Sequence, residues 1–263
     1  MILIFLPRLV YSVVNNPLFI VSKAAVYIGF QAMLNNLKAL LNLIFPNTCS
    51  NCSNELLLEE DFLCWCCEEE IKYTYFESMN EDSALDKLFW GRVKIEQTFA
   101  LFYYHKKAVS QTILHEIKYG HKGHLGVLMG QKMAWKNSAN INNSNIDVLI
   151  PVPTHHRKKF NRGYNQSEKI AKGISSVTGI PIDVKFLIKN KHTESQTKKA
   201  TTDRWQNVVG GFSARKNVKS YKHLALVDDV ITTGATLESL VKEIRKSNPS
   251  IEISIFALAM AKE

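Results

Sequence analysis

The clearest hydrophobic pattern in the chain lies near its carboxyl terminus. Residues 224–227 are apolar without any polar alternation, which is typical of a parallel strand buried on both faces. Asp228 and Asp229 follow directly, and the small, hydroxyl-rich stretch 232–236 comes next. After it, apolar residues recur at helical spacing as far as Pro249, which cannot continue a helix. The pattern predicts a buried strand, an acidic pair at its end, a tight loop and a helix.

A loop of this kind is chemically suited to a phosphorylated sugar. The amino end of a helix offers unpaired N–H groups and the positive end of the helix dipole to a phosphate. Thr232, Thr233 and Thr236 add hydroxyl donors, and Asp228 and Asp229 can accept hydrogen bonds from sugar hydroxyls. An ordinary strand-to-helix turn without a ligand is the alternative interpretation.

The same periodicities predict the elements upstream. Strands are predicted at 99–104, 146–150, 184–188 and 253–259, and helices with apolar faces at 109–117, 125–133 and 170–177. Two polar stretches separate them. Residues 137–145 are predicted to form a linker-like surface loop, and 189–207 a long loop of the kind that is usually functional or disordered.

Composition and charge narrow the choice of partner. The chain has 263 residues and 46% hydrophobic residues, enough for a sizeable folded domain and a small module. Its net charge of +9 favours anionic partners, which include phosphorylated metabolites, nucleic acid and acidic membranes. Basic residues are dense between 155 and 162. They indicate either a solvated charged segment or a clamp for a polyanion.

The five cysteines all fall between residues 49 and 67. Cys49 with Cys52 and Cys64 with Cys67 form two Cys-x-x-Cys pairs, which predict four thiolates around one tetrahedral zinc ion. A site closed by four cysteines is structural rather than catalytic. Cys66 lies within the second pair and is an alternative to Cys67 as the fourth ligand. A local metal site of this type predicts a reducing compartment, and we expect the protein in the cytoplasm.

Residues 1–32 form an apolar leader with polar interruptions at Arg8, Asn15 and Lys23. No apolar run of about 18 residues occurs, and no clean cleavage site follows a single hydrophobic segment. The leader is interpreted as a membrane-associated helix pair, as a helix docked on the domain, or as an over-extended start, and the third is favoured. Membrane contact through it is therefore not expected. A unit at 33–72 would hold an amphipathic helix and the cysteine module.

Residues 224–236 resemble the phosphoribosyl pyrophosphate (PRPP) signature of type I phosphoribosyltransferases. The wider set of motifs is similar to the ComF family of competence-associated proteins. The motifs are the two cysteine pairs, Lys118-Tyr119-Gly120, Pro151-Val152-Pro153, residues 162–166, Gln196-Thr197 with Arg204, residues 207–212 and the signature itself. The resemblance implies an α/β protein with a type I phosphoribosyltransferase fold over 92–263. That fold has a mainly parallel sheet flanked by helices, and a small zinc module with four cysteine ligands would precede it.

The resemblance also implies a role for each matching residue. Asp228 and Asp229 would bind the ribose hydroxyls or hold Mg²⁺ through water, and together with Arg204 they would be catalytic. Arg204 lies on the 189–207 loop, which would close over pyrophosphate. The remaining implied PRPP ligands are Thr232, Thr233, Gly234, Ala235 and Thr236 for the 5-phosphate, and Arg157 and Arg162 beside pyrophosphate.

The implied chemistry is transfer of phosphoribose from PRPP to a nitrogen acceptor with release of pyrophosphate, in a protein associated with DNA uptake and natural transformation. No residue identifies the acceptor. The alternative is a non-catalytic competence factor that senses PRPP or binds single-stranded DNA together with other competence proteins. No phosphate-binding loop of the motor ATPase type occurs in the sequence.

Overall fold

The computed structural model describes residues 29, 33, 47–57, 60–76, 83–189, 212–214 and 221–261. Apart from two isolated positions, the predicted leader and the helix that follows it lie outside the described residues. Arg204 and most of its loop lie outside them as well. Within these described ranges, no helix is long and apolar enough to cross a membrane.

The chain divides into two units. One consists of Met1–Cys49 and Ser53–Cys64, and its described part contains a turn in which the Cys49 amide donates to the Asn54 carbonyl over 2.7 Å. The other consists of Ser50–Cys52 and Trp65–Glu263 and carries the helices and strands described below. The predicted domain boundaries stay a prediction.

The second unit alternates strands and helices for most of its length. In chain order the elements are α1 (Trp65–Glu69), α2 (Ala84–Lys87), β1 (Thr98–Tyr104), α3 (Val109–Tyr119), α4 (Gly123–Lys136), α5 (Ser138–Asn143), β2 (Val148–Pro151), α6 (His156–Arg162), α7 (Gln166–Thr178), β3 (Leu187–Lys189), β4 (Phe212–Ala214), β5 (His223–Ile231), α8 (Ala235–Ser247) and β6 (Glu252–Ala261).

Four strands form one sheet in the order β1-β6-β5-β2, and all three neighbouring pairs are parallel. Leu226, in β5, lies between Ile150 of β2 and Ile255 of β6, and all three side chains are fully buried. A strand between two partners, with helices on its faces, needs apolar residues at every position, which explains the unbroken run at 224–227. The predicted α/β class, with a mainly parallel sheet flanked by helices, is confirmed.

The strand predicted at 184–188 lies further along the chain than expected. Asp183 accepts a hydrogen bond from the Lys185 amide at 2.8 Å, which turns the chain, and Val184 is exposed. The strand therefore begins at Leu187, and it pairs antiparallel with β4 in a separate two-stranded sheet.

The prediction of a loop over 137–145 is wrong for Ser138–Asn143, which form α5. Ile141 is buried and fixes one face of the helix. The buried Asn137 accepts a hydrogen bond from the Asn140 side chain at 2.9 Å. Polar residues of low helix propensity thus adopt a helix because of one apolar contact with the rest of the fold.

Candidate functional site

Asp228 and Asp229 lie in β5, at the level where the neighbouring strand β2 has ended and the other neighbour, β6, continues. β2 stops pairing at Pro151, opposite Val227, and the last bond on that side runs from the Val152 amide to the Val227 carbonyl over 2.9 Å. β6 continues beside β5 as far as Ile231. Asp228 and Asp229 are therefore the last part of a strand, not residues beyond its end as predicted. The β2 side of β5 is open at these acids, and this is the crevice where α/β sheets bind ligands.

Asp228 is partly buried and is held from two sides. Its Oδ1 accepts from the Ser167 hydroxyl at 3.1 Å and from the Asp229 amide at 2.9 Å. Burial and the neighbouring Asp229 charge raise the pKa of Asp228 to about 7, although both hydrogen bonds and Lys118 act in the opposite direction. The first turn of α7 supplies Ser167, which no sequence pattern had indicated.

Asp229 forms an ion pair with Lys118, whose Nζ lies 3.0 Å from Oδ2. Both side chains are mostly buried. Lys118 is in the last turn of α3, and the motif that contains it was noted in the sequence without a role.

The loop after β5 leads through a left-handed glycine into α8. Thr232, Thr233 and Thr236 are exposed, while Gly234 is buried. Gly234 has a φ of +70°, which L side chains rarely adopt, and it is the N-cap of α8. Ala235 is the first residue of that helix, so its N–H group belongs to the first turn, which has no partners within the helix.

The basic segment noted at 155–162 forms a helix, α6. Arg157 is exposed on it, and the N-cap residue His155 accepts a hydrogen bond from the Arg157 amide at Nδ1, over 3.2 Å. Arg162 lies in the last turn, where it donates to the Tyr119 hydroxyl at 3.3 Å and stacks on the same ring at 4.9 Å from its centroid. The two arginines assigned to pyrophosphate therefore have different surroundings, because only Arg162 is tied to α3.

Lys189 lies within electrostatic reach of both the basic helix and the acid pair. Burial lowers the pKa of its ammonium group, Lys158 lowers it further, and Asp228 opposes both. Lys158 and Asp228 thus both lie within electrostatic reach of Lys189. No pattern in the sequence indicated this role, since the position of Lys189 depends on the pairing of β3 with β4.

The second candidate site is the cysteine group. The sulfurs of Cys49, Cys52, Cys64 and Cys67 all lie within 4.8 Å of one another. Four sulfurs bound tetrahedrally at about 2.3 Å from zinc are about 3.8 Å apart, so this group fits zinc. Cys66 is exposed and outside the group. The Asn51 amide donates to the Cys67 sulfur at 3.4 Å, a contact typical of the surroundings of a metal-bound thiolate.

Comparison with known proteins identifies relatives for part of the chain. No family model matches it. Competence protein F of Haemophilus influenzae is 39% identical over 117 residues, which are 44% of this chain and 51% of that protein. Competence protein ComFC of Bacillus subtilis is 29% identical over 111 residues, 42% and 43% of the two chains. DNA utilization protein YhgH of Escherichia coli O157:H7 is 26% identical over 112 residues, 43% and 48% of the two chains.

The chain thus spans about half the length of the curated relatives it matches. The predicted resemblance to the ComF family is confirmed over that portion. Two solved structures are also similar, the allosteric regulatory enzyme of purine biosynthesis and the glutamine PRPP amidotransferase of B. subtilis with ADP and GMP. Their TM-scores are 0.35 and 0.34, at 20% and 21% identity, and each match covers 55% of this chain and 30% of the other. The fold assignment rests on the strand order described above, because scores of this size carry no weight.

Proposed function

We propose that this chain is a ComF-like phosphoribosyltransferase-domain protein that binds PRPP together with Mg²⁺ at residues 228–236. One observation carries the proposal. An acidic pair lies at the open edge of β5, and the strand runs directly into a left-handed glycine and the first turn of α8. This places carboxylates for sugar hydroxyls and N–H donors for a phosphate in one short stretch.

Each part of the stretch has its own task in the proposal. Asp228 and Asp229 accept from the ribose hydroxyls, with Lys118 displaced from Asp229 when the ligand enters. The loop from Thr232 to Thr236 holds the 5-phosphate with backbone N–H and hydroxyl donors.

Carboxylate oxygens also suit Mg²⁺, which typically binds one or two carboxylates together with substrate phosphates and keeps several waters. When bound, the ion neutralises charge on the pyrophosphate group.

Pyrophosphate is assigned to Arg157 and Arg162 of the basic helix, together with Lys158 and Lys189. Arg157 is exposed on α6, and Lys158 and Lys189 lie within electrostatic reach of each other. In the proposal, Arg204 closes over pyrophosphate. The proposed chemistry is displacement of pyrophosphate at C1 of the ribose by a nitrogen nucleophile. Its transition state develops positive charge on the sugar and must be shielded from water.

The biological setting comes from the names of the relatives, which are competence and DNA utilization proteins. We place this protein in DNA uptake on that basis. The four clustered thiols hold a structural zinc ion and favour a reducing compartment, which we take to be the cytoplasm.

Titration calorimetry with PRPP and Mg²⁺ tests the proposal. The double variant Asp228→Asn and Asp229→Asn should lose the binding signal and stay folded, because asparagine keeps the shape but not the charge. Thr236→Val should weaken binding less, since the backbone N–H groups remain. Asp183→Asn, a change in the turn before β3, serves as the control and should bind as the wild type does. A wild-type protein without heat or thermal shift at millimolar PRPP would refute the ligand.

A second candidate function is binding of single-stranded DNA, and one observation favours it. Phe160 is 87% exposed on α6, next to Arg157, Lys158 and Lys159. An exposed ring among cations is typical of surfaces on which bases stack. If this candidate is correct, neutralising the three cations should weaken DNA binding and flatten its dependence on salt. If only PRPP affinity changes, α6 serves pyrophosphate.

A further inference from the structure

The segment from Leu88 to Val93, which follows α2, packs against the loop from Thr232 to Thr236. Three of its residues make the contact, which are Leu88, the buried Phe89 and Arg92. No sequence motif pointed to any of them. The segment is itself held in place, because Ser83 and Asp86 form a reciprocal capping box at the start of α2.

Phe89 supports the loop through Gly234. A Cβ atom at residue 234 would lie 3.0 Å from Cε1 of Phe89 and 3.2 Å from Cδ2 of Leu88. Glycine is thus required at this position for its positive φ and also for the close approach of the aromatic ring.

Arg92 ties the loop to α8. Its Nη1 donates to the Thr233 carbonyl at 2.9 Å and to the Leu88 carbonyl at 3.0 Å. Its Nε donates to Glu238 Oε2 at 2.9 Å, and Nη2 donates to the same oxygen. The Arg92 and Glu238 side chains are 24% and 10% exposed, so this ion pair is largely shielded from water. Lys242 also donates to Glu238, at 2.6 Å.

The bond to Thr233 has a direct consequence for the loop. The Thr233 carbonyl and the Gly234 N–H belong to one planar trans peptide and point in opposite directions. When the carbonyl is held toward Arg92, the Gly234 N–H is aimed away from it. The charge of Arg92 is matched by Glu238, so its effect on the loop is mainly to set this orientation.

We propose that Arg92 is a positioning residue, which holds the loop from Thr232 to Thr236 in the shape that receives the 5-phosphate. This inference rests on the proposed function, since the phosphate is that of PRPP. Arg92 acts through the Thr233 carbonyl and does not touch the ligand. Lysine cannot replace it, because a single ammonium group lacks the planar set of donors that reaches both carbonyls and the carboxylate.

Three variants and one control test the inference. Arg92→Met should weaken PRPP binding about tenfold, the effect of one lost charged hydrogen bond, and should speed hydrogen exchange at the Gly234 amide. Arg92→Lys should behave in the same way. Arg92→Met combined with Glu238→Met removes the whole ion pair. Relative to Arg92→Met alone, this double variant should be more thermally stable but should bind PRPP no more tightly. Lys94→Met, at an exposed position just beyond the same segment, should leave affinity and exchange unchanged.

The outcomes separate the explanations. If Arg92→Met binds PRPP as tightly as the wild type does, with unchanged amide exchange, the inference is wrong. It is also wrong if the combined variant regains full affinity, because the ion pair and not the Thr233 bond would then be responsible. A wild-type protein that fails to bind PRPP contradicts the proposed function. In that case the exchange rates still decide whether Arg92 orders the loop.

Discussion

Asp228 and Asp229 are neighbours in the sequence, yet the fold gives them different electrostatic surroundings. Asp229 has the Lys118 ammonium at 3.0 Å. Asp228 accepts hydrogen bonds only from neutral groups, Ser167 and the Asp229 amide, among the contacts of the described residues. Burial and the adjacent charge therefore raise the pKa of Asp228 to about 7. Asp228 therefore changes its protonation near neutral pH, while Asp229 forms an ion pair.

This difference predicts a pH dependence. Because the pKa of Asp228 is higher in the folded protein than in the unfolded chain, its contribution to stability is complete at low pH. The contribution is lost as the pH rises from about 4 through about 7. Asp228→Asn should therefore increase the free energy of unfolding relative to the wild type as the pH rises over this window. Urea unfolding of both proteins at pH values from about 4 to about 8 measures it.

Asp147 provides a control of opposite sign. Backbone N–H groups of His223 and Lys222 lower the pKa of Asp147, so its contribution is present at neutral pH and is lost as the pH falls. Asp147→Asn should lower the free energy of unfolding at neutral pH and should change it little at acidic pH. If Asp228→Asn follows the same trend as Asp147→Asn, the assignment of a raised pKa to Asp228 is wrong.

At the level of elements, the packing of α4 on α7 decides where the amino end of α7 lies. The two helices approach at Gly130 and Gly173, where a Cβ on Gly173 would lie 2.1 Å from the Val127 carbonyl oxygen. Gln131 of α4 also donates to Ser176 of α7 at 3.2 Å. Glycine within a helix is unfavourable by about 1 kcal/mol relative to alanine. Its presence at both positions is explained by this close approach, which brings Ser167 to Asp228.

Gly173→Ala tests this packing. Because the clash is with backbone atoms, the helices must separate, and we expect a loss of about 1–3 kcal/mol in the free energy of unfolding. Displacement of Ser167 should also weaken binding at Asp228. Lys172→Ala is the matched control, since Lys172 is the exposed neighbour on the same helix and its change should cost less than about 0.5 kcal/mol. A Gly173→Ala protein as stable as the wild type would contradict the close packing.

For the whole molecule, the four clustered cysteine sulfurs are a candidate zinc site outside the sheet. The described sulfurs fit one tetrahedral zinc ion, with Cys67 rather than Cys66 in the group. Metal binding of this kind is coupled to folding, because the ligands are brought together only in the folded chain.

Elemental analysis should therefore find one zinc ion per chain. The Cys67→Ser variant should lose the zinc ion and the ordered structure of residues 47–76. The Cys66→Ser variant should retain both. Circular dichroism and zinc content after chelation provide the measurement, and the two serine variants are controls for each other. Metal-free protein that remains fully ordered over these residues, or loss of zinc in Cys66→Ser alone, would contradict the assignment.

The sequence by itself determined those parts of the protein whose functional residues lie close together in the chain. The strand at 224–227, the acids after it and the loop to α8 are contiguous, so one stretch carries both the burial pattern and the phosphate chemistry. The cysteine pairs were recognisable for the same reason, because spacing alone brings two thiolates together.

Only the tertiary structure decided which distant side chains join the site and where some elements end. Ser167, Lys118 and Arg92 contact residues 228–238 across more than about 60 positions of sequence, through helix packing and a turn that no local pattern encodes. The length of β5 depends on β6, and α5 exists because Ile141 is buried. Hydrogen bonds and burial between distant residues depend on which segments the fold brings together. The local hydrophobic periodicity of the sequence does not contain that information.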